Sequence, residues 1–144
     1  GFHRGGMPPF MQEEIGQFII WRMDSAADTL NLNSSQRLLY GHLKTNLKES
    51  FDKGITAKTQ MKALAQEQME KDQPDISVIT NGIQEHMNTM AGMMDKTLSL
   101  FHSFYSSLDD KQKEIINTKF KDRFDQVRQH RTAEYRMGCK KWNL

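Results

Sequence analysis

Cysteine is almost absent. Cys139 stands alone in 144 residues, which excludes an internal disulfide framework and a zinc site built on thiolates. Proline is nearly as scarce: Pro8, Pro9 and Pro74 leave the stretches 10–73 and 75–144 without a helix breaker. Valine occurs twice. No run approaches the roughly 18 apolar residues that a membrane-spanning helix requires. The formal net charge is only +2, too small to indicate a nucleic-acid partner. Gly-x-Ser-x-Gly, Gly-x-Gly-x-x-Gly and P-loop patterns are missing. The carboxylates scatter along helical faces and read as solvated surface. The chain is therefore expected to be no enzyme and to need no cofactor.

What is present favours helix. Gln, Lys, Met, Leu and Ala are plentiful. Ten Met, eight Phe and nine Ile argue against disorder despite a mean hydropathy of -0.73. Residues 1–9 hold three Gly and two of the three Pro and read as a flexible tail. Residues 10–144 read as a single all-helical domain. The chain starts at Gly1 rather than Met, so the missing leader says nothing about location.

Apolar spacing marks the helices. From Phe10 to Leu30 the expected core stripe is Ile15, Phe18, Ile19, Met23, Ala26 and Leu30, with Ile20 and Trp21 off it. A second helix carries Leu39, Leu43, Leu47 and Phe51; Gly54 is expected to end or bend it, and a weakly apolar helical stretch restarts at Thr56. Asp75 is a plausible N-cap for the strongest signal in the chain, the stripe Ile76, Ile79, Ile83, Met87, Met90, Met94, Leu98, Phe101, Tyr105 and Leu108. About 32 helical residues span roughly 48 Å, longer than the diameter of about 37 Å of a compact chain of this size. An elongated monomer with a homodimeric partner on this stripe follows as an expectation. The last helix shows Ile116, Phe120, Phe124 and Val127 on one face.

Two short patterns repeat. Leu32, Asn33 and Gln36 form one, and Leu108, Asp109 and Gln112 the other, 76 residues on. Each places a capping residue three positions before a Gln, the spacing of a capping box. The paired Leu-polar-x-x-Gln boxes resemble the LTxxQ motifs of the Spy/CpxP family. Arg22-Met23-Asp24 and Phe104-Tyr105-Ser106-Ser107 are similar to the lead-ins of those motifs. The likeness covers residues 18 to 125; Asn33 and Asp109 replace Thr, and the common Pro-Glu pair is missing. The resemblance implies an all-α, antiparallel homodimer shaped like a thin cradle. It implies periplasmic residence and ATP-independent binding of unfolded or misfolded proteins. Other branches are envelope-stress regulators acting on a sensor kinase's periplasmic domain, and metal sensors.

Two kinds of site are open on the residues themselves. Apolar side chains off the main stripes have no local packing reason, which makes Ile20, Trp21, Met93, Leu100 and Phe104 the candidate client-binding positions. Adaptable Met side chains suit varied clients. The alternative is a metal-binding module using His86 and Met90, with His42 from another helix and His3 and Met7 from the tail. Soft thioether and imidazole ligands suit Cu(I), but no His-x-x-x-His pair occurs. Charge is uneven: residues 1–110 hold ten Lys/Arg against fourteen Asp/Glu, and residues 111–144 ten against four. The basic end is either a helix C-terminus matched to its dipole or a patch that steers acidic partners.

Overall fold

Pro9 opens the first helix, a position that suits a residue without an N–H. The computed structural model describes the backbone of residues 9–142 and the side chains of residues 14–132. The other expected tail residues, His3 and Met7 among them, and the Cys139 side chain lie outside what it describes. Four helices follow in order, α1 (Pro9–Asp28), α2 (Ser34–Met69), α3 (Ile76–Ser106) and α4 (Asp110–Trp142). No strand occurs among the described residues. The chain divides into two units, one ending at Ser107 and one beginning at Leu108. Each is described by itself.

In the first unit, α1 ends in a turn at Asn31, which sits at φ 50°. Asn tolerates this left-handed conformation better than most residues. Leu30 and Leu32, on either side, are buried. At Asn33 the chain is extended and α2 begins. Gly54 does not end the helix: α2 runs on from Ser34 to Met69. A mid-helix Gly costs only about 1 kcal/mol relative to Ala, less than the packing of the helix on both sides of it supplies. At the far end, Gln68 is buried and its Oε1 accepts from the Asp75 backbone N–H at 3.1 Å. Asp75 in turn caps α3 by accepting from the Ser77 N–H.

α2 and α3 lie antiparallel. Their register is set by Gly82 against Leu64 and Met61 at one end. Further along, the Thr97 hydroxyl donates to Asn46 Oδ1 at 2.7 Å. The Tyr40 and Phe104 rings meet with centroids 5.6 Å apart. α1 packs on the N-terminal half of α2, with Gly16 against the Phe51 ring. Tyr40 and Lys44 both hold Asp24, at 2.6 and 2.8 Å. The hydrophobic core of this unit is Ile20, Leu30, Leu32, Leu43 and Phe104. Its buried polar side chains, Gln36, Asn46 and Gln68, all make hydrogen bonds, as burial requires.

This packing departs from the expected faces of α1 and α3 in part: Leu30 is buried and Met23, Ala26, Ile79, Met90, Phe101 and Tyr105 are half-buried, but much of each stripe faces outward. Ile15, Phe18 and Ile19 are exposed, while Gly16 and Ile20 are buried. Ile76, Ile83, Met87, Met94 and Leu98 are exposed. α3 instead turns toward α2 the face that carries Gly82, Thr97 and Phe104. Helices approach closest where a side chain is missing. A Cβ on Gly82 would lie 2.8 Å from Leu64 Cδ2, and one on Gly16 would lie 3.2 Å from the Phe51 ring. Both glycines sit beside the richest apolar stripes rather than on them.

In the second unit, Asp109 accepts from the Gln112 N–H at 2.7 Å, and Gln112 Oε1 accepts from the Asp109 N–H at 2.9 Å. Leu108, Gln112 and Ile116 are its buried positions, and every described residue from Asn117 to Thr132 is exposed.

Candidate functional site

An open cleft of about 240 Å³ between α2 and α3 is lined by Glu49, Lys53, Thr89 and Lys96, among others. That is smaller than the roughly 300–1,000 Å³ of small-molecule sites. The features capable of recognition are surfaces.

The first box carries structure. Asn33 Oδ1 accepts from the Gln36 N–H at 2.8 Å, and Gln36 Oε1 accepts from the Asn33 N–H at 3.0 Å. The Gln36 amide nitrogen then donates to the Ser107 carbonyl at 2.8 Å. Glu can close an ordinary capping box, but only an amide can close this one and also donate across to the end of α3.

The first surface runs along α3. Ile83, Met87, Met94 and Leu98 are exposed, Met87 by 64 %, and Met90 and Phe101 beside them are half-buried. The steps Ile83–Met87–Met90–Met94 are four, three and four, the spacing of a helix-pairing seam. The second surface lies on α1. Phe18 and Trp21 stack with centroids 5.9 Å apart, and the Arg22 guanidinium sits 6.0 Å over the Phe18 ring. Ile15 and Ile19 extend this patch, and Trp21 is 62 % exposed.

The five candidate client positions separate. Trp21 stands on the surface. Ile20 and Phe104, expected outside, are buried, Phe104 to 4 % exposure, and this corrects the sequence reading. Phe104 is held against Tyr40 on α2, and Ile20 shares the α1 face of Gly16. Met93 and Leu100 are half-buried, at helical spacing from Phe104. The positions that sequence reasoning assigned to packing, Ile83, Met87, Met94 and Leu98 with Phe18, are the exposed ones. The signal for them was present: Gly82, Thr97 and Asn46 mark the other face as the one that meets a neighbouring helix.

Of the metal candidates, His86 and Met90 lie one turn apart on α3 and His42 stands apart from them, while His3 and Met7 lie outside the described residues. The α2–α3 register places His42 near residue 101 of α3, some 15 residues and roughly 22 Å along the helix from His86. His42 is exposed, and His86 and Met90 are half-buried. His86 Nδ1 is shielded without a hydrogen-bond partner. Among the described residues, no group of three or more His, Cys, Asp or Glu could hold a metal ion.

Asp24, Tyr40 and Lys44 form an ion-pair cluster between α1 and α2. Burial works to raise the Asp24 carboxyl, but the hydrogen bonds from Lys44 and Tyr40 and the Lys44 charge together hold it below the usual carboxylate range. Burial, and then the hydrogen bond to Asp24, push the Tyr40 phenol well above its ordinary value. These groups lock α1 to α2 and have no open position for a substrate.

A family model described as LTXXQ motif family protein matches residues 18–120. No curated protein matches the chain, and no solved structure does.

Proposed function

The chain belongs to the LTXXQ motif family, the Spy/CpxP type, and on that premise we propose that it is a periplasmic, ATP-independent chaperone of the envelope stress response that binds unfolded or misfolded proteins. It is a binding protein rather than an enzyme. The observation that carries this reading is the pair of exposed apolar surfaces on one small helical unit, Ile83–Leu98 on α3 and Phe18–Trp21 on α1. A monomeric protein rarely exposes contiguous apolar area without a partner for it.

The two surfaces suit different partners. The α3 seam has the regular spacing that a second helix interdigitates with, and it is assigned to a second copy of the chain in a homodimer. The α1 patch is short and aromatic, with Arg22 at its border. It suits client segments of varied sequence, which Phe18 and Trp21 hold by dispersed apolar contact while charge keeps the complex soluble. Weak, separable contacts let a client rearrange while bound. The metal-module alternative has less support, since His42 and His86 stand far apart.

An aggregation-suppression assay with a chemically unfolded client tests the reading. The intact chain is expected to suppress light scattering without ATP. Phe18→Ser combined with Trp21→Ser is expected to remove most of that suppression with the helical signal unchanged. Full suppression by the double variant would sink the assignment of α1, and no suppression by the intact chain would sink the chaperone reading.

A further inference from the structure

The described part of α4 carries an amphipathic pattern of a different kind from the first unit. Phe120, Phe124 and Val127 follow one another at steps of four and three, so they form one line along the helix. All three are exposed, Phe124 by 66 %. Lys119 and Arg123 border this line on one side, and Lys121 and Arg128 on the other. Asp122 and Asp125 fall on the opposite side of the helix. From Lys119 to Arg131, five Lys/Arg face two Asp, and all of them are exposed.

We infer that this face of α4 docks on an anionic phospholipid surface, lying in the plane of the headgroups. The argument is complementarity in layers. An apolar line with cations on both edges and carboxylates only behind it matches a surface that is apolar below and negative above. Lys and Arg stems can lie along the apolar boundary while their charges reach the phosphates. Each basic residue near such a surface adds attraction, and Phe120 and Phe124 enter the acyl boundary. The face is convex, so a protein partner needs a groove of matching length with acidic rims. The same face of a second copy is repelled by like charge. No helix among the described residues is long and apolar enough to cross a membrane, so the association is peripheral and reversible by salt. The inference stands on α4 alone and does not depend on client binding by α1.

Co-sedimentation of the full chain with vesicles tests it, comparing phosphatidylcholine alone with phosphatidylcholine containing phosphatidylglycerol. Binding is expected to the anionic vesicles only, and to fall as salt rises. Arg123→Gln with Arg128→Gln is expected to weaken it roughly tenfold or more, as is Phe120→Ser with Phe124→Ser. Arg123→Lys, which keeps the charge, is expected to retain it. Circular dichroism of each variant checks that the helices persist, and the charge variant keeps the test valid if the Phe variant loses helix. Three results overturn the inference: no binding to anionic vesicles, binding indifferent to both double variants, or capture of an acidic protein by this face with none of the vesicles. A change of oligomeric state in Phe120→Ser with Phe124→Ser, at unchanged vesicle binding, also overturns it and makes the face a contact between copies.

Discussion

Gln36 donates its amide to the Ser107 carbonyl at 2.8 Å, across 71 residues of chain. The same side chain closes the capping box at the start of α2. One residue thereby fixes where a helix begins and where another, distant in sequence, ends beside it.

Gln36→Glu separates the two roles. A carboxylate still accepts from the Asn33 N–H but cannot donate, and it faces the Ser107 carbonyl. The expected loss is about 2 kcal/mol, from a broken part-buried hydrogen bond and an acceptor left facing a carboxylate. Asn33→Ala loses the cap alone and should cost about 1 kcal/mol. Urea denaturation of the two variants measures both, and a Glu variant as stable as the parent contradicts the double role.

The Asp24–Tyr40–Lys44 cluster makes stability depend on pH at both extremes. The folded Asp24 carboxyl lies below its ordinary value. Its contribution is therefore present above about pH 4 and is lost as pH falls below that. The Tyr40 phenol lies above its ordinary value, so its contribution is present below about pH 10 and is lost as pH rises beyond. Tyr40→Phe is expected to cost about 1 kcal/mol at neutral pH and to flatten the alkaline fall. Thermal melts between pH 3 and pH 11, run on both proteins, read these limbs.

The two apolar lines of α3 predict opposite outcomes for two residues six positions apart. Phe104→Ala removes a buried ring and should cost about 3–5 kcal/mol. Leu98→Lys, at an exposed position, should change the stability of the monomer by only about 0.5 kcal/mol. Its expected effect is on self-association, read by sedimentation. A Leu98→Lys protein that unfolds places Leu98 in the core after all.

Glycines within one fold should also diverge. A Cβ at Gly54 meets nothing within 4 Å, whereas at Gly82 it meets Leu64. Gly54→Ala is expected to stabilise by about 1 kcal/mol through helix propensity. Gly82→Ala should lose that gain to displacement of Leu64 and Met61. Equal stabilisation by the two substitutions, in parallel melts, argues against close contact at Gly82.

Much of the architecture was legible in the sequence. Helical spacing and the scarcity of proline gave an all-helical chain, and the repeated cap-x-x-Gln spacing located the starts of α2 and α4 to within a residue. The role of Asp75 followed from Pro74 before it and the apolar run after it. The orientation of α1 and α3 was not legible. Each carries two apolar lines, and periodicity reports that a line exists without reporting what it faces. The deciding residues were Gly16 and Gly82, whose message is the absence of a side chain, and Thr97 and Asn46, whose hydrogen bond crosses between helices. Trp21 was legible as an outlier from its stripe; Ile20, its neighbour and equally an outlier, was not distinguishable from it without α2 in place.

The thin interior links folding to occupancy. Leu43, at 3 % exposure, is the most buried hydrophobic residue of those described, and much of the apolar surface along α3 faces water. A partner that covers Ile83–Leu98 and binds only the folded chain adds free energy to folding by mass action, about 2.7 kcal/mol at a hundredfold excess over its Kd. In a chain this short that displaces the melting midpoint by several degrees. The midpoint therefore serves as a titration of the seam, rising with protein concentration when a second copy fills it and with added ligand when something else does.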